Sequence, residues 1–545
     1  MLALVYLLLG VLGLQTLAKR VEVNWDVGYL NISRDGYSTW QAIGANGQLP
    51  IPPIYVTQGD TLVLTAHNSL DKPFSLHAHG LFQRNSSYYD GPAMVTECGI
   101  PPGESFTYVI ETRDQVGSFW VHGHYYMEAI DGLRTALIIR AKTPSDYYDE
   151  DILITLEEWE QMPYAEFVDR MQSVPSGKLI PNFPTVLING INGNVSKPIH
   201  FTPGKRYRIR FISMSFTYWF KVRLPAHTMS TIEADGIDNK PAEVDGLDMC
   251  PGQRYSVLVT AHDTDTFNYM FNVTFYSAAI ERVPGLMPRY YQIPVIYRDN
   301  SPVKQLPALE DSEVTWSNEF SMIPQDKQKI LHPVDRWIEL QAKRHFNSFG
   351  IPTFAFGDYA YKPGLVPALY TALSMGDLAL NESVYAPQLN AFVVKHMDVV
   401  EIVITNDNTV DHSYHMHGHA FQVVELGPTP NNTMRPLPAI KKSLHSPMRR
   451  DTITLPTHQY VKLRFRADNP GVWYQHCHQK QHDMTGLAFT IVEAPDVLQK
   501  TQRVPQRMLD FCAMLGKKTF GNSAGNSGFN FTGIESPILV IENKH

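Results

Sequence analysis

Short runs of alternating apolar and polar residues recur along this chain, separated by turn-forming residues. Tyr55-Val-Thr-Gln-Gly-Asp-Thr-Leu-Val-Leu-Thr sets two β-rich runs around a Gly-Asp turn. The same pattern continues through residues 103–110, 117–124 and 132–140, so a first β-block is expected over 20–142. Asp151-Ile-Leu-Ile-Thr-Leu, Arg206-Tyr-Arg-Ile-Arg-Phe-Ile and Arg254-Tyr-Ser-Val-Leu-Val-Thr predict a second block over 150–298. After an acidic, Pro-containing stretch read as a linker over 299–350, a third block is expected over 351–497. Its strand candidates are Asp398-Val-Val-Glu-Ile-Val-Ile-Thr-Asn, Phe421-Gln-Val-Val-Glu-Leu, Tyr460-Val-Lys-Leu-Arg-Phe-Arg and Gly486-Leu-Ala-Phe-Thr-Ile-Val. Blocks one and three both end in a His-rich strand and then a Gly-Leu strand, which suggests an internal repeat. Residues 498–545 form a tail that is rich in Gly, Asn and Ser after Phe520.

Composition agrees with short strands and many turns. The chain of 545 residues is too long for one core and suits several β-domains. Its net charge of -8 is mild and gives no sign of nucleic-acid binding.

The apolar run near the N-terminus is too short for a membrane span and ends at Thr16-Leu17-Ala18, a small-residue cleavage pattern. Residues 1–18 therefore read as a signal peptide. No later apolar run reaches spanning length, so a secreted, extracellular protein, free or wall-associated, is expected. Sequons at Asn31, Asn85, Asn194, Asn272, Asn381, Asn431 and Asn530 suit a glycosylated surface. Of the four cysteines, Cys98 and Cys512 could clamp the tail to the first block, with Cys250 left unpaired; connectivity is not fixed by sequence.

The chemistry concentrates in Trp473-Tyr-Gln-His-Cys-His-Gln-Lys-Gln-His482. On a strand, His476 and His478 point one way and Cys477 the other. One segment can then feed two metal sites. A thiolate with imidazoles is the ligand set of a blue-copper centre. Imidazoles for a second site are available in His77-Ala-His79, His122-Gly-His124 and His412-Ser-Tyr-His415-Met-His417. Each pair alone is weak evidence. A core has no use for so many polar rings, so the four segments together are specific. His200, His227 and His262 form no such pair and read as structural residues.

These four segments resemble the copper motifs of the multicopper oxidases, the family of laccases, ascorbate oxidases and fungal ferroxidases. The resemblance spans nearly the whole chain after residue 18. Pro447-Met-Arg-Arg-Asp-Thr452 and Ala467-Asp-Asn-Pro-Gly-Val-Trp473 resemble the wording of fungal iron-transport ferroxidases and related pigment oxidases. It implies an all-β fold of three cupredoxin-like Greek-key β-sandwich domains and four copper ions. Carried over, His412, Cys477 and His482 match the type 1 site. His77 and His415 match type 2. His79, His122, His124, His417, His476 and His478 match the type 3 pair. Electrons would enter at the type 1 position and pass from Cys477 along the backbone to His476 and His478, where O2 is reduced to water. Leu487 falls at the axial position of the blue site and cannot ligate; Met484 reads as packing. Asp90 matches one of two acids that deliver protons in relatives, and its simpler role is a turn before Gly91. The other acid position holds Lys480, which puts the family's proton route in doubt.

The reducing substrate is read from the rim. Oxidising Fe(II) calls for carboxylates beside the type 1 histidines. One such position holds Lys178, the loop 432–445 has Arg435, Lys441 and Lys442 but no acid, and only Glu281 could match a further acid. A basic rim suits phenolates better than Fe(II). The expectation is a laccase-like oxidase of a small phenolic or pigment-precursor reductant, with O2 as co-substrate. The alternatives are an Fe(II) ferroxidase, which alone would imply an iron permease as partner, and a copper-binding wall module without turnover.

Overall fold

The computed structural model describes residues 18–113, 115–166, 169, 184–264, 266–276, 290–307, 309–346, 352–430, 439–443 and 445–540. The expected signal segment up to Leu17, with Lys178, Glu281, Arg435 and Asn431, lies outside the described residues. Among the described residues no helix is long and apolar enough to cross a membrane.

Strands dominate and build three sandwiches, each with its own apolar core. The topology repeats. In each, the first long strand pairs parallel with a later one: Arg20–Ile32 with Thr61–Asn68, Glu150–Trp159 with Arg206–Ser213, and Arg336–Phe346 with Val399–Asn406. A second parallel pair closes each opposite sheet: Ile54–Thr57 with Arg134–Arg140, Ile199–His200 with Tyr290–Ile296, and Ala391–Val394 with Ala488–Glu493. The repeat thus includes the middle block, which lacks the histidine pairs.

The structure starts the third sandwich before 351, inside the expected linker. Arg336–Phe346 turns Ile338, Leu340 and Ala342 into the core. Its outward positions carry Trp337, Glu339, Gln341 and Lys343, so the strand does alternate in sequence, and the linker reading followed from the acidic, Pro-containing stretch before it. The tail is also structured. Helices Pro495–Thr501 and Gln506–Met514 pack on the first and third sandwiches, and Cys98 is disulfide-bonded to Cys512. Cys250 and Cys477 are free and buried.

The strands used below are β1 (Leu76–His79), β2 (Gly117–Gly123), β3 (Trp219–Arg223), β4 (Leu247–Met249), β5 (Tyr269–Tyr276), β6 (His412–Met416), β7 (Thr452–Leu455) and β8 (Gly471–Cys477), followed by helix α1 (Lys480–Met484). β1, β2, β6 and β8 are buried along their whole length. One face of each looks into its own sandwich and the other looks across a seam. Period-2 alternation then sorts the side chains. Leu76 and Ala78 enter the first core while His77 and His79 face the seam. Tyr414, Met416, Trp473 and Cys477 enter the third core. Val472 and Tyr474 lie on the opposite face of β8, in the cluster between the first and third sandwiches.

Candidate metal centres

The parity that sends Cys477 into the third core also sends His412 there, two residues before Tyr414. α1 brings back His482, whose amide donates to the Gln479 carbonyl. Cys477 Sγ lies 3.8 Å from His412 Nδ1 and 3.6 Å from His482 Nδ1, and the two Nδ1 atoms are 3.0 Å apart. The Asn408 amide sits 3.2 Å from the outer nitrogen of His412 and fixes the ring. Leu487 is fully buried in the same core, without a donor atom for the site. Burial pushes the Cys477 thiol up and holds His412 and His482 down, the latter to about 3. A neutral imidazole is ready to ligate, and a bound cation would convert the thiol to the thiolate.

On the other side of β8, eight histidines converge. His79, His122 and His478 form one set, His124, His417 and His476 a second, and His77 and His415 meet beside His79. Within each set the ligand atoms lie within 4.8 Å of one another. β1 and β2 are paired at His77 and His122, and β6 and β8 at His415 and His476. His77 stacks on His417 at 3.9 Å between centroids, and His79 on His415 at 3.8 Å. The first and third sandwiches therefore each contribute half of the cluster, and neither can complete it alone.

Hydrogen bonding shows which ring nitrogen is kept free. His77 Nδ1 lies 2.7 Å from the Asp90 carbonyl, His122 Nδ1 3.0 Å from that of Gly123, His415 Nδ1 3.0 Å from that of Asp451, and His476 Nδ1 3.1 Å from that of Cys477. His417 Nδ1 is 2.8 Å from Asp90 Oδ2. The inward Nε2 atoms of His77, His122 and His415, with Nδ1 of His79, are buried and without a partner among the described residues. Inward nitrogens without partners and outward nitrogens tied to carbonyls and carboxylates are what a metal cluster requires. Burial holds His79, His122, His124, His417 and His478 well below the usual range, and His476 at about 3. The donor set fits copper: nitrogen and thiolate on one side, imidazoles alone on the other.

Every histidine singled out in sequence for copper, with Cys477, is thus brought into one of these sets. Asp90 is fully buried and faces the outer nitrogens of His77 and His417, so it orients ligands rather than joining them. The turn role is real as well. Gly91 has φ +97°, and a Cβ there would lie 1.9 Å from the Leu76 carbonyl oxygen. Asp90 is thereby pinned behind β1.

Sequence reasoning missed the counterpart of Asp90. Asp451 Oδ1 lies 3.3 Å from His79 Nε2 and 3.5 Å from His415 Nδ1. Its carboxylate takes two hydrogen bonds of 2.6 Å from Arg254, whose Nε donates to the Ser118 carbonyl at 2.9 Å. Burial alone would raise the Asp451 carboxyl; Arg254 holds it well below the ordinary range. One buried ion pair so ties all three sandwiches behind the cluster. The signal was present in Pro447-Met-Arg-Arg-Asp-Thr452, read only as a resemblance.

Lys480 was read as a missing acid. Its Nζ pairs with Asp483 at 2.9 Å, and Asp483 Oδ1 accepts from the Tyr474 hydroxyl at 2.7 Å and lies 3.7 Å from His476 Nδ1. Burial opposes the Asp483 charge, but Lys480 and His476 hold its carboxyl below the usual value. The carboxylate has moved along one face of α1 instead of disappearing. A cavity of about 10 Å3 beside it, bounded by His124, His476 and Lys480 among others, is roughly the size of one water.

Comparison with known proteins agrees with this geometry. Family models described as multicopper oxidase match residues 26–144, 150–289 and 361–497. An iron multicopper oxidase of Mycosarcoma maydis is 35% identical over 96% of this chain and 89% of its own. An iron transport multicopper oxidase of Saccharomyces cerevisiae is 32% identical over 94% and 85%. The crystal structure of Fet3p superposes with a TM-score of 0.86 at 28% identity, covering 93% of this chain and 97% of that one. A laccase from Botrytis aclada gives 0.78 at 26%, covering 92% of each. The sandwiches are of the cupredoxin-like type that these structures share, and the histidine clusters fit the four coppers of their family, one type 1, one type 2 and a type 3 pair. This chain belongs to the multicopper oxidase family.

Proposed function

We propose that the protein oxidises Fe(II) one electron at a time and passes the electrons to O2. His412, Cys477 and His482 would hold the type 1 copper, His77 and His415 the type 2, and His79, His122, His124, His417, His476 and His478 the type 3 pair. Bound there, copper supplies one-electron acceptance at the first site and four-electron reduction of O2 to water at the cluster. The chain's own part is connection and orientation. Cys477 is bonded through the backbone to His476 and His478, so the two sites communicate through one strand. Asp90 and Asp451 hold the outer nitrogens of four ligands. Asp90 stands where a proton can be passed toward the cluster, and the Lys480–Asp483 pair shapes the small cavity on its far side.

The observation that supports iron is the kinship: the relatives matched over 96% and 94% of the chain are named for iron. This reverses the order reached from the rim residues; of those, Lys178, Glu281 and Arg435 are outside the described residues, while Lys441 and Lys442 are exposed and Lys442 pairs with Glu425 at 3.0 Å. A phenolic reductant is the second reading, and one observation favours it. Among the described residues no carboxylate contacts His412 or His482, and Arg344 is the charge that both rings feel. Oxygen uptake by copper-loaded protein with Fe(II) and with a diphenol tests both. Faster uptake per substrate concentration with Fe(II) is expected. Uptake with the diphenol alone would move the assignment to a laccase-like oxidase, and uptake with neither to a binding module. Export belongs to the same reading; N-terminal sequencing of secreted protein should begin after Ala18. An iron permease partner follows only if Fe(II) is the substrate.

A further inference from the structure

One face of the second sandwich carries chemistry that the iron reading leaves unused. β5 alternates strictly, so Met270, Asn272, Thr274 and Tyr276 turn outward. With Trp316 and residues 303–307, 309 and 311 they bound a groove of about 920 Å3. Lys221 on β3 reaches over it, its Nζ 5.0 Å from the ring centroids of both Tyr276 and Trp316, and pairs with Asp311. Arg223 also lines the groove, and its buried Nε has no hydrogen-bond partner among the described residues.

Tyr276 is set up differently from an ordinary wall residue. Its hydroxyl donates to Asp248 Oδ1, on β4, at 2.6 Å. Burial pushes that carboxyl up to about 6, so it can accept and hold a proton near neutrality. Across the strand pair Tyr276 faces Trp219, with ring centroids 6.4 Å apart. Trp219 is buried, and its Nε1 donates to Thr454 Oγ1 at 3.1 Å. Thr454 on β7 is paired with Ser413 on β6, the residue after His412. The Ser413 carbonyl accepts from the His478 amide. Neighbouring groups therefore lead without interruption from the groove floor to the strands that carry His412 and Cys477.

We propose that this groove is a second electron-entry site for a phenol bearing a carboxylate, joined to the type 1 position through Tyr276 and Trp219. The occupant follows from the lining. Aromatic rings favour a ring, Lys221, Arg223 and Lys304 outnumber Asp245 and Asp311 in the lining and favour an anionic substituent, and a tyrosine with its own proton acceptor can pass electrons one at a time through a neutral radical. In the relay, Tyr276 loses one electron toward the oxidised type 1 site through Trp219, and its hydroxyl proton moves to Asp248. The bound phenol then loses one electron to the tyrosyl radical and releases its proton to water, and Asp248 returns the proton to Tyr276. One donor is oxidised to its phenoxyl radical, and the type 1 site is reduced by one electron.

The test uses 3,4-dihydroxybenzoate and Fe(II) as separate donors to the full, copper-loaded chain. All proteins carry Asn272→Gln, so no glycan on that sequon covers the groove. Anaerobic bleaching of the blue absorbance is followed in stopped flow. Tyr276→Phe and Trp219→Phe should each slow bleaching by the diphenol about tenfold and leave bleaching by Fe(II) unchanged. Unchanged diphenol rates, or equal slowing with both donors, would overturn the relay. Copper-depleted protein gives an independent reading. It should bind the diphenol saturably by tryptophan fluorescence, about tenfold more weakly in Arg223→Gln; no saturable binding removes the site. Failure of Fe(II) to bleach the unmutated relay protein would count against the iron reading and leave the relay to the diphenol rates.

Discussion

The two faces of β8 hold metal sites of opposite construction. The Cys477 face is completed inside the third sandwich, by a strand neighbour and the helix that follows. The His476 and His478 face is half a cluster until β1 and β2 of the first sandwich close on it. A site inside one core depends on local packing. A site across a seam depends on whatever holds the seam: here the apolar cluster around Val95, Val472 and Tyr474, with Asp90, the Arg254–Asp451 pair and the Cys98–Cys512 bridge. The two sites should therefore fail separately.

The sharpest break is Cys477→Ser. It should abolish the blue absorbance and reduce turnover to background, with circular dichroism unchanged and the cluster copper still bound on metal analysis. Retained blue colour would refute the ligand assignment.

Asp451→Ala attacks the other face. It removes the bidentate partner of buried Arg254 and leaves it the longer contact with Asp235 at 3.5 Å, at a cost of up to about 3–5 kcal/mol. Copper-loaded variant should keep its blue band and lose the type 2 signal in electron paramagnetic resonance; loss of both together would mean the sites are not independent.

Removing the Cys98–Cys512 bridge by a double Ser substitution should cost about 2–4 kcal/mol in thermal unfolding and let a chelator strip the cluster faster than the type 1 site. Equal stripping rates would argue against the seam account.

Asp90→Asn keeps the shape and removes the charge behind His77 and His417. Cluster copper affinity or turnover should fall roughly 10–100-fold, while the type 1 potential stays where it was. A shifted potential would show coupling that the geometry does not provide.

The last is read in pH dependence at Glu233, which ties the second sandwich to Ser118 of the first. Burial raises its carboxyl, but Arg208 and Arg210 outweigh that and hold it at about 2. Its contribution is complete above the unfolded value of 4.5 and is lost as pH falls toward about 2. Glu233→Gln should flatten the acid limb of the stability curve over that window.

Much of this was legible in sequence because β-structure is periodic. His412 and Cys477 share a core face while His415 and His476 face the seam, as alternation requires. What could not be read are partners distant along the chain. Asp451 needed Arg254 before its role was visible; Lys480 and Asp483 are near neighbours, and what was missing for them was the short helix that puts both on one face. The strand Arg336–Phe346 alternates as a half-buried strand does, and it was absorbed into the linker by the acidic, Pro-containing stretch that precedes it.

The sequence by itself determined the ligand types, their spacing and, through the two-residue repeat, which side of each strand they take. Backbone geometry is local, so those properties need no knowledge of the rest of the chain. Only the tertiary structure decided which imidazoles share a site, which nitrogen of each ring stays free and which buried charges hold the sandwiches together. Those depend on approach between segments hundreds of residues apart, and burial and pairing are properties of that approach, not of any one segment.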